Sequence, residues 1–360
     1  MVVSDFIPGP AGQLPESGTC RWQAPSNIAL VKYWGKKEGQ IPMNPSVSFT
    51  LDASATRTEL RYRKAEGSGG TPAFEIFLDG APAPHFREKI QSFFKRILPY
   101  QPFLSEYNFE IHTENTFPHS SGIASSASGM AALALCLMDL EKAIYPDLDP
   151  QHVFRKASFL ARLGSGSAAR SLGGGLVHWG KQDSVPGSSD LFGIPYPLPV
   201  HPVFRSFNDT ILLVDKGQKQ VSSTVGHGLM QGHPYAAARF GQARSRIDAF
   251  APVFREGDLQ AFIELVESEA LTLHAMMMTS NPYYILMKPA TLQILEKIWE
   301  FRRSEGEPVC FTLDAGANVH VLYPEESQSK VYGFIQEALL PYCQDGQHIR
   351  DRVGDGPKRL

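Results

Sequence analysis

Several features that mark large functional classes are scarce or missing in this sequence. Its 360 residues include four cysteines, Cys20, Cys136, Cys310 and Cys343, with no C-x-x-C spacing. That pattern argues against a disulfide framework and against a zinc site. Cys136 and Cys310 lie in apolar runs and read as small core residues. The eleven histidines form no H-E-x-x-H or comparable cluster. Lysine and arginine (34) are outnumbered by aspartate and glutamate (37), for a formal charge of −3. Nucleic-acid-binding domains usually carry a basic excess, so a nucleic-acid partner is not expected. A local cationic pocket for an anionic metabolite stays open. No apolar run approaches the ~18 residues that a membrane span needs. Residues 1–20 are rich in proline and glycine and lack the basic and apolar regions of a signal peptide. The expectation is a cytoplasmic protein with a loose arm over 1–20 and no membrane partner.

What is present is ordinary globular material, 42% hydrophobic and 11% aromatic. The length suggests two domains. Period-2 alternation predicts strands over 47–51, 58–62, 74–78 and 107–112, with Asp79-Gly80 as a hairpin turn. Helical spacing marks 86–98, an almost wholly apolar stretch over 126–142, and 149–163. The proline-rich FGIPYPLPVHPVF at 192–204 is the natural boundary. It divides an N-terminal domain, 21–195, from a C-terminal domain, 196–360. Beyond it a strand at 209–215 precedes helices near 234–254, 259–278 and 288–305. Strands at 309–314 and 319–323 flank DAGAN, and a helix over 331–340 follows. Strand runs mixed with helix pairs give the α+β class.

Four stretches carry chemistry. In FPHSSGIASSASGM, Gly122 and Ser125–Ser126 immediately precede the apolar helix. Unpaired amides and the dipole at a helix start favour an anion, and small residues let phosphate approach. A plain serine cap on a core helix fits the same spacing. GSGSAAR, 164–170, sets Ser165 and Ser167 before Arg170, a residue suited to bidentate binding of carboxylate or phosphate. A helix cap with a surface arginine is the bland alternative. NIALVKYWGKK, 27–37, clusters Lys32, Lys36 and Lys37 with Tyr33 and Trp34, and by itself reads more readily as a solvated edge strand. FTLDAGANV places Asp314 at a strand end before Ala-Gly, where turn-forming and catalytic carboxylates both occur.

Taken together and in order, APSNIALVKYWGKK, SSGIASSASG, ARLGSGSAARS and FTLDAGANV resemble the diphosphomevalonate decarboxylase family of the GHMP kinase superfamily. VSSTVG at 221–226 resembles a further family segment. The likeness runs from about residue 21 to 325. It implies a two-domain GHMP kinase-like α+β fold, with an N-terminal ribosomal S5-like part and a C-terminal ferredoxin-like part. The active site would lie in the cleft between them. It also implies MgATP-dependent decarboxylation of mevalonate 5-diphosphate to isopentenyl diphosphate, by a homodimer of the mevalonate pathway. Carried over position by position, Asp314, Lys32 and Arg170 are the catalytic set. Tyr33, Lys36, Arg87, Ser165, Ser167, Ser222 and Ser223 match substrate contacts. Gly122, Ser125, Ser126, Ala127 and Ser128 match the ATP phosphate loop, with the Ser126 hydroxyl as the Mg²⁺ ligand.

The chain departs from the family at His119, at Ala169 where a cysteine is usual, and at DAGAN in place of DAGPN. None of these touches the Asp/Lys/Arg set. Small-molecule kinases of the superfamily place an aspartate in the segment corresponding to GSGSAAR, and this chain has none there. A phosphomevalonate decarboxylase, another small-molecule kinase of the superfamily and a non-catalytic GHMP-fold sensor are the competing readings. The sensor would be expected to have lost a member of the Asp/Lys/Arg set, and all three are present.

Overall fold

The structure is a computed structural model. It describes every residue except Ala11, 67–69, 119–122, Ala124, 218–220 and Ser222, and it leaves the Ser223 side chain undescribed. The expected Gly122 and Ser222 contacts, and His119, therefore lie outside the described residues.

The first part of the chain runs β1 (Ser17–Val31), β2 (Ser46–Lys64), β3 (Phe74–Leu78), β4 (Ala81–Pro82), α1 (Arg87–Ile97), β5 (Tyr107–Asn115), α2 (Ser125–Ile144), α3 (Pro150–Gly164), β6 (Leu176–Trp179) and β7 (Gly193–Pro195). The second runs β8 (Asn208–Leu212), α4 (Ser223–Gly228), α5 (Ala236–Glu256), α6 (Leu259–Met278), α7 (Pro289–Glu305), β9 (Cys310–Thr312), β10 (Val319–Tyr323), α8 (Gln328–Phe334), β11 (His348–Arg352) and β12 (Lys358–Arg359). An eight-stranded sheet takes the order β12-β1-β2-β5-β3-β4, with β6 on β2 and β7 on β6, and a four-stranded sheet takes the order β11-β8-β10-β9. This is the α+β class expected.

Local chemistry accounts for most elements. Asp79 and Gly80, at φ 51° and 80°, make the tight turn between β3 and β4. Positive φ at both central positions matches the strand twist and favours such residues. Asp149 caps α3 by accepting the His152 amide at 2.8 Å, and Pro150 sits at the first helical position, where its missing N–H costs nothing. α2 is apolar on nearly all faces because it lies between β1, β2 and α3. Its one buried acid, Glu141, meets the equally buried Lys156 at 2.5 Å.

Three expectations change. The separate strands at 47–51 and 58–62 are one 19-residue strand, β2. The polar residues between them do not turn. The amides of Asp52, Ala53 and Ser54 instead donate to the Asp351 carboxylate on β11, at 2.9, 2.8 and 2.7 Å. Nor is the N-terminal arm loose. Phe6 is fully buried and stacks on Phe159 at 4.3 Å, and β1 already begins at Ser17. Finally, the C-terminal segment does not stay in its own half. β12 returns to the first sheet and pairs antiparallel with Trp22 and Gln23. The helix over 331–340 is α8, continued by a π turn over Ile335–Leu339.

The two halves share a core. Ile28, Leu30, Val47 and Phe49 of the first sheet pack with Phe204, Phe207, Phe250 and Phe262 in a single buried cluster. The ends of β1 and β9 are thereby fixed relative to each other. All four cysteines are buried and unpaired.

Candidate active site

At the end of β1 the chain leaves the sheet and forms one wall of a cavity of about 190 Å³. The turn 164–170, the first turn of α2, α4, α6 and the Asp314–Ala315 turn complete it. Lys32 is 1% exposed, and its Nζ lies 3.0 Å from Asp314 Oδ1. Burial lowers the pKa of Lys32, opposed by the carboxylates of Asp314 and Glu269 and aided by Arg170. The Asp314 backbone is held too, since His274 Nε2 donates to its carbonyl at 3.1 Å.

Arg170 closes the same cavity. It is 3% exposed and donates from Nη1 to Ser46 Oγ at 2.8 Å and from Nε to Asn27 Oδ1 at 3.3 Å, with Trp179 packed 5.8 Å below. Burial draws its pKa down to about 10, partly offset by the Asp314 charge. Two buried cations, Lys32 and Arg170, thus face one half-exposed carboxylate. Desolvated cations of this kind bind an anion strongly, because little water competes.

The serines form a row. Ser126 Oγ lies 3.2 Å from Ser165 Oγ, which lies 3.5 Å from Ser167 Oγ. The row joins the first turn of the 20-residue α2 to the cationic end. Lys36 lines the cavity as well. Burial and the nearby Arg96 charge lower its pKa. The Tyr33 hydroxyl is buried without a partner among the described residues, and its ring leaves no room at Gly166, where a Cβ would stand 2.6 Å from Oη.

Four of the expected contacts, Arg87, Ser125, Ala127 and Ser128, do not line this cavity. Arg87 is exposed and stacks over Phe74 at 5.4 Å, because the first turn of α1 directs it away from the cavity. Lys89, one helical step on, lines the cavity in its place. The Ser128 side chain is fully buried, with its hydroxyl 2.6 Å from Thr56 Oγ1, and Ala127 is buried in the core. Only their backbone remains for a phosphate. Ser125 lines a second cavity of about 100 Å³, whose walls include Ile76, Phe86, Ile111 and Met130. That more apolar cavity shares Ser126 and Lys89 with the first.

Residues that sequence reasoning missed include Asn27, Lys89, His227, His274 and Glu269. Asn27 stands inside a motif already singled out. His274 interrupts the apolar run LHAMMM of α6, a pattern that flags a buried, partnered polar group, whereas Glu269 lies beside Glu267 and Ser268 and reads as one more helix-surface acid. His227 gave no such signal. Its Nδ1 accepts the Gly35 amide at 2.9 Å, and its ring packs on Tyr33 and Trp34 at 4.4 and 4.6 Å. Burial, with Lys36 and Arg170 nearby, pushes its pKa down to about 3. It is therefore neutral, with its proton on Nε2.

Comparison with known proteins fits this geometry. The diphosphomevalonate decarboxylase-like N-terminal domain matches residues 24–191, and the mevalonate 5-diphosphate decarboxylase C-terminal domain matches 210–357. The diphosphomevalonate decarboxylase mvd1 of Aspergillus fumigatus is 31% identical over 335 residues, covering 88% of this chain and 80% of that one. This chain belongs to the diphosphomevalonate decarboxylase family. The diphosphomevalonate decarboxylase of Saccharomyces cerevisiae is 30% identical, over 87% of this chain and 79% of its own. Among solved structures, MDDEF in complex with MVAPP, AMPPCP and magnesium superposes with a TM-score of 0.81 at 26% identity, covering 96% of this chain and 99% of that one. Mevalonate diphosphate decarboxylase from Staphylococcus aureus gives the same TM-score and identity, over 96% and 98%. The fold of this decarboxylase family is thus the GHMP kinase fold expected from the motifs. Among the described residues no helix is long and apolar enough to cross a membrane.

Proposed function

We propose that the chain catalyses ATP-dependent decarboxylation of mevalonate 5-diphosphate to isopentenyl diphosphate, ADP, phosphate and CO₂. The observation that carries this reading is the buried Lys32 ammonium 3.0 Å from Asp314, with Arg170 in the same cavity. Family membership supports it, as does a related structure holding MVAPP, AMPPCP and magnesium.

Bound MgATP supplies the phosphoryl group that turns the tertiary 3-hydroxyl into a leaving group. Asp314 is the group that would orient that hydroxyl or take its proton, while Lys32 holds the Asp314 carboxylate in place. Arg170 meets the substrate carboxylate, and the Lys32 and Arg170 charges hold the anion for decarboxylation. When the C3–O bond breaks, phosphate departs with its electrons. The electrons of the C–CO₂ bond then form the double bond, and CO₂ leaves. Tyr33 Oη, Lys36, Ser165 and Ser167 bind the diphosphate, with His227 Nε2–H as a further neutral donor. The first turn of α2 holds the nucleotide phosphates, the second cavity suits its base, and Lys89 lies between the two. Ser126 Oγ would be the protein's oxygen ligand to Mg²⁺, a cation that favours such hard donors.

The test is coupled ADP release with mevalonate, its 5-phosphate and its 5-diphosphate, alongside CO₂ capture. Turnover is expected on the diphosphate. ADP release without CO₂ would make the chain a kinase, and faster turnover on the monophosphate would reassign the substrate. Asp314→Ala is expected to cut kcat by about 10²–10⁴-fold with little change in ligand binding. Retention of most activity would remove the role given to Asp314. A homodimer in the cytoplasm completes the reading. It rests on the family resemblance, and equilibrium sedimentation showing a monomer would remove the dimer.

A further inference from the structure

Lys32 is the first residue past the end of β1, so the sheet does not fix its backbone. Its peptide groups are instead held by a charged pair from the other half of the molecule. Lys32 N donates to Glu269 Oε2 on α6 at 2.9 Å, and Arg239 Nη2 on α5 donates to the Lys32 carbonyl at 3.1 Å. The two holders are bound to each other by two bonds, Arg239 Nη1 to Glu269 Oε1 at 2.8 Å and Nη2 to Oε2 at 2.6 Å. Both side chains are 0% exposed. Asn44 Nδ2 adds a bond to the same carbonyl at 3.0 Å.

A buried ion pair is a poor way to gain stability. Desolvating two charges offsets most of their attraction, and apolar residues of similar volume often serve as well or better. A bidentate arginine–carboxylate pair does offer fixed geometry. Here the geometry is spent on one residue. Both the N–H and the C=O of Lys32 are seized, one by each member of the pair. His274, on α6 one turn beyond Glu269, grips the Asp314 carbonyl. Helices α5 and α6 therefore hold the backbones of both partners in the Lys32–Asp314 pair.

We infer that Arg239 and Glu269 are positioning residues that set Lys32 against Asp314, coupling the C-terminal helices to the chemistry. This inference rests on the functional reading above. Neither residue lines the cavity or meets substrate. They act through the Lys32 backbone, and Glu269 also acts through its charge. Lys32 faces Asp314 from the β9–β10 turn, Glu269 and His274 from α6, Arg239 from α5 and Arg170 from the 166–170 turn. Removing the Glu269 carboxylate takes away one of the two anions that favour the charged ammonium.

The informative variant is the double replacement Arg239→Met with Glu269→Met, which keeps bulk and removes both charges. The thermal midpoint is expected to fall only slightly, because removing two desolvated charges offsets the stranding of the buried Lys32 N–H, and kcat to fall by about 100-fold, the cost of a misplacement near 1 Å. KM for substrate should change far less than kcat, because the diphosphate contacts assigned to Tyr33, Lys36, Ser165 and Ser167 are untouched. Glu269→Gln alone should also shift the alkaline limb of kcat to lower pH. In an Asp314→Asn background the double replacement should cost little more, since the pair it positions is already broken. Wild-type kcat in the folded double variant would overturn the inference. A loss of equal size in the Asp314→Asn background would do the same, by showing a merely structural role. Should the double variant fail to fold, Arg239→Lys retains the charge but loses the second contact, and unaltered kcat there overturns the inference. If Asp314→Ala is itself active, the functional reading fails first, and the two failures remain distinct.

Discussion

Lys32 holds its charge where burial opposes it, and that has a measurable sign. Its pKa is lower folded than unfolded, so the unfolded chain binds the proton more readily. Stability should therefore rise with pH through the folded pKa. Lys32→Met is expected to leave the urea midpoint at pH 7 equal or higher while kcat falls by at least ~100-fold. A drop in midpoint together with retained turnover would refute both roles. His227 works in the opposite pH range. Burial pushes its pKa down to about 3 in the fold, from an ordinary imidazole value of 6.5. Only the unfolded chain takes up its proton between these values, so stability is lost as pH falls below about 6.5, at roughly 1.4 kcal/mol per pH unit. His178 and His274, each pushed down to about 4 by burial, add in the same direction. His227→Gln should lose about 2 kcal/mol less than wild type between pH 7 and pH 5, read from urea titrations at each pH.

Among the elements, α4 is the wall with least slack. A Cβ at Gly226 would stand 2.6 Å from the Trp34 ring and 2.7 Å from Tyr284 Oη. Gly226→Ala should push α4 off the Lys32–Lys36 segment and break the Gly35–His227 bond. The expected result is a KM for substrate raised about tenfold or more, since displacing α4 also withdraws the His227 Nε2–H from the anionic substrate, and a lost hydrogen bond to a charged partner is worth ~1.5–3 kcal/mol. Steady-state kinetics would measure it, and an unchanged KM would show that α4 does not shape the substrate site. Elements governed by local rules were legible in the sequence. The Asp79-Gly80 turn, the apolar α2 and the spans of α6 and β10 all follow from spacing and turn chemistry. The Lys32, Arg170 and Asp314 motifs were individually weak and informative only in order. What sequence could not supply was long-range satisfaction of polar groups. The 52–54 amides look like a break until Asp351, some three hundred residues on, accepts them. Arg239 and Glu269 likewise look like surface charges until α5 and α6 pack. The direction of Arg87 depends on where α1 starts, and a two-residue shift there exchanges it for Lys89.

At the scale of the whole molecule, the halves are sewn together at three places. They share the phenylalanine-rich core, β12 closes on β1, and Asp351 spans the sheets. Unfolding should therefore be a single transition, with calorimetric and van't Hoff enthalpies agreeing. Two resolved transitions would show that the shared core is too weak to couple the halves. Asp351→Ala, which strands three β2 amides, is expected to lower stability by about 2–4 kcal/mol by denaturant titration.

The buried cysteines give this architecture its own clock. Cys20 and Cys136 lie in the core packed around α2 in the first half, Cys343 in a core of the second half with Leu212, Ile294 and Val331, and Cys310 in the core the halves share. Burial raises all four thiol pKa values, to about 11 for Cys20 and Cys343. None offers a thiolate to a reagent until its surroundings open. The rate at which each sulfur becomes labelled in native buffer thus times the opening of one region, with no probe introduced. If the halves separate before they melt, Cys310 will be labelled ahead of Cys136.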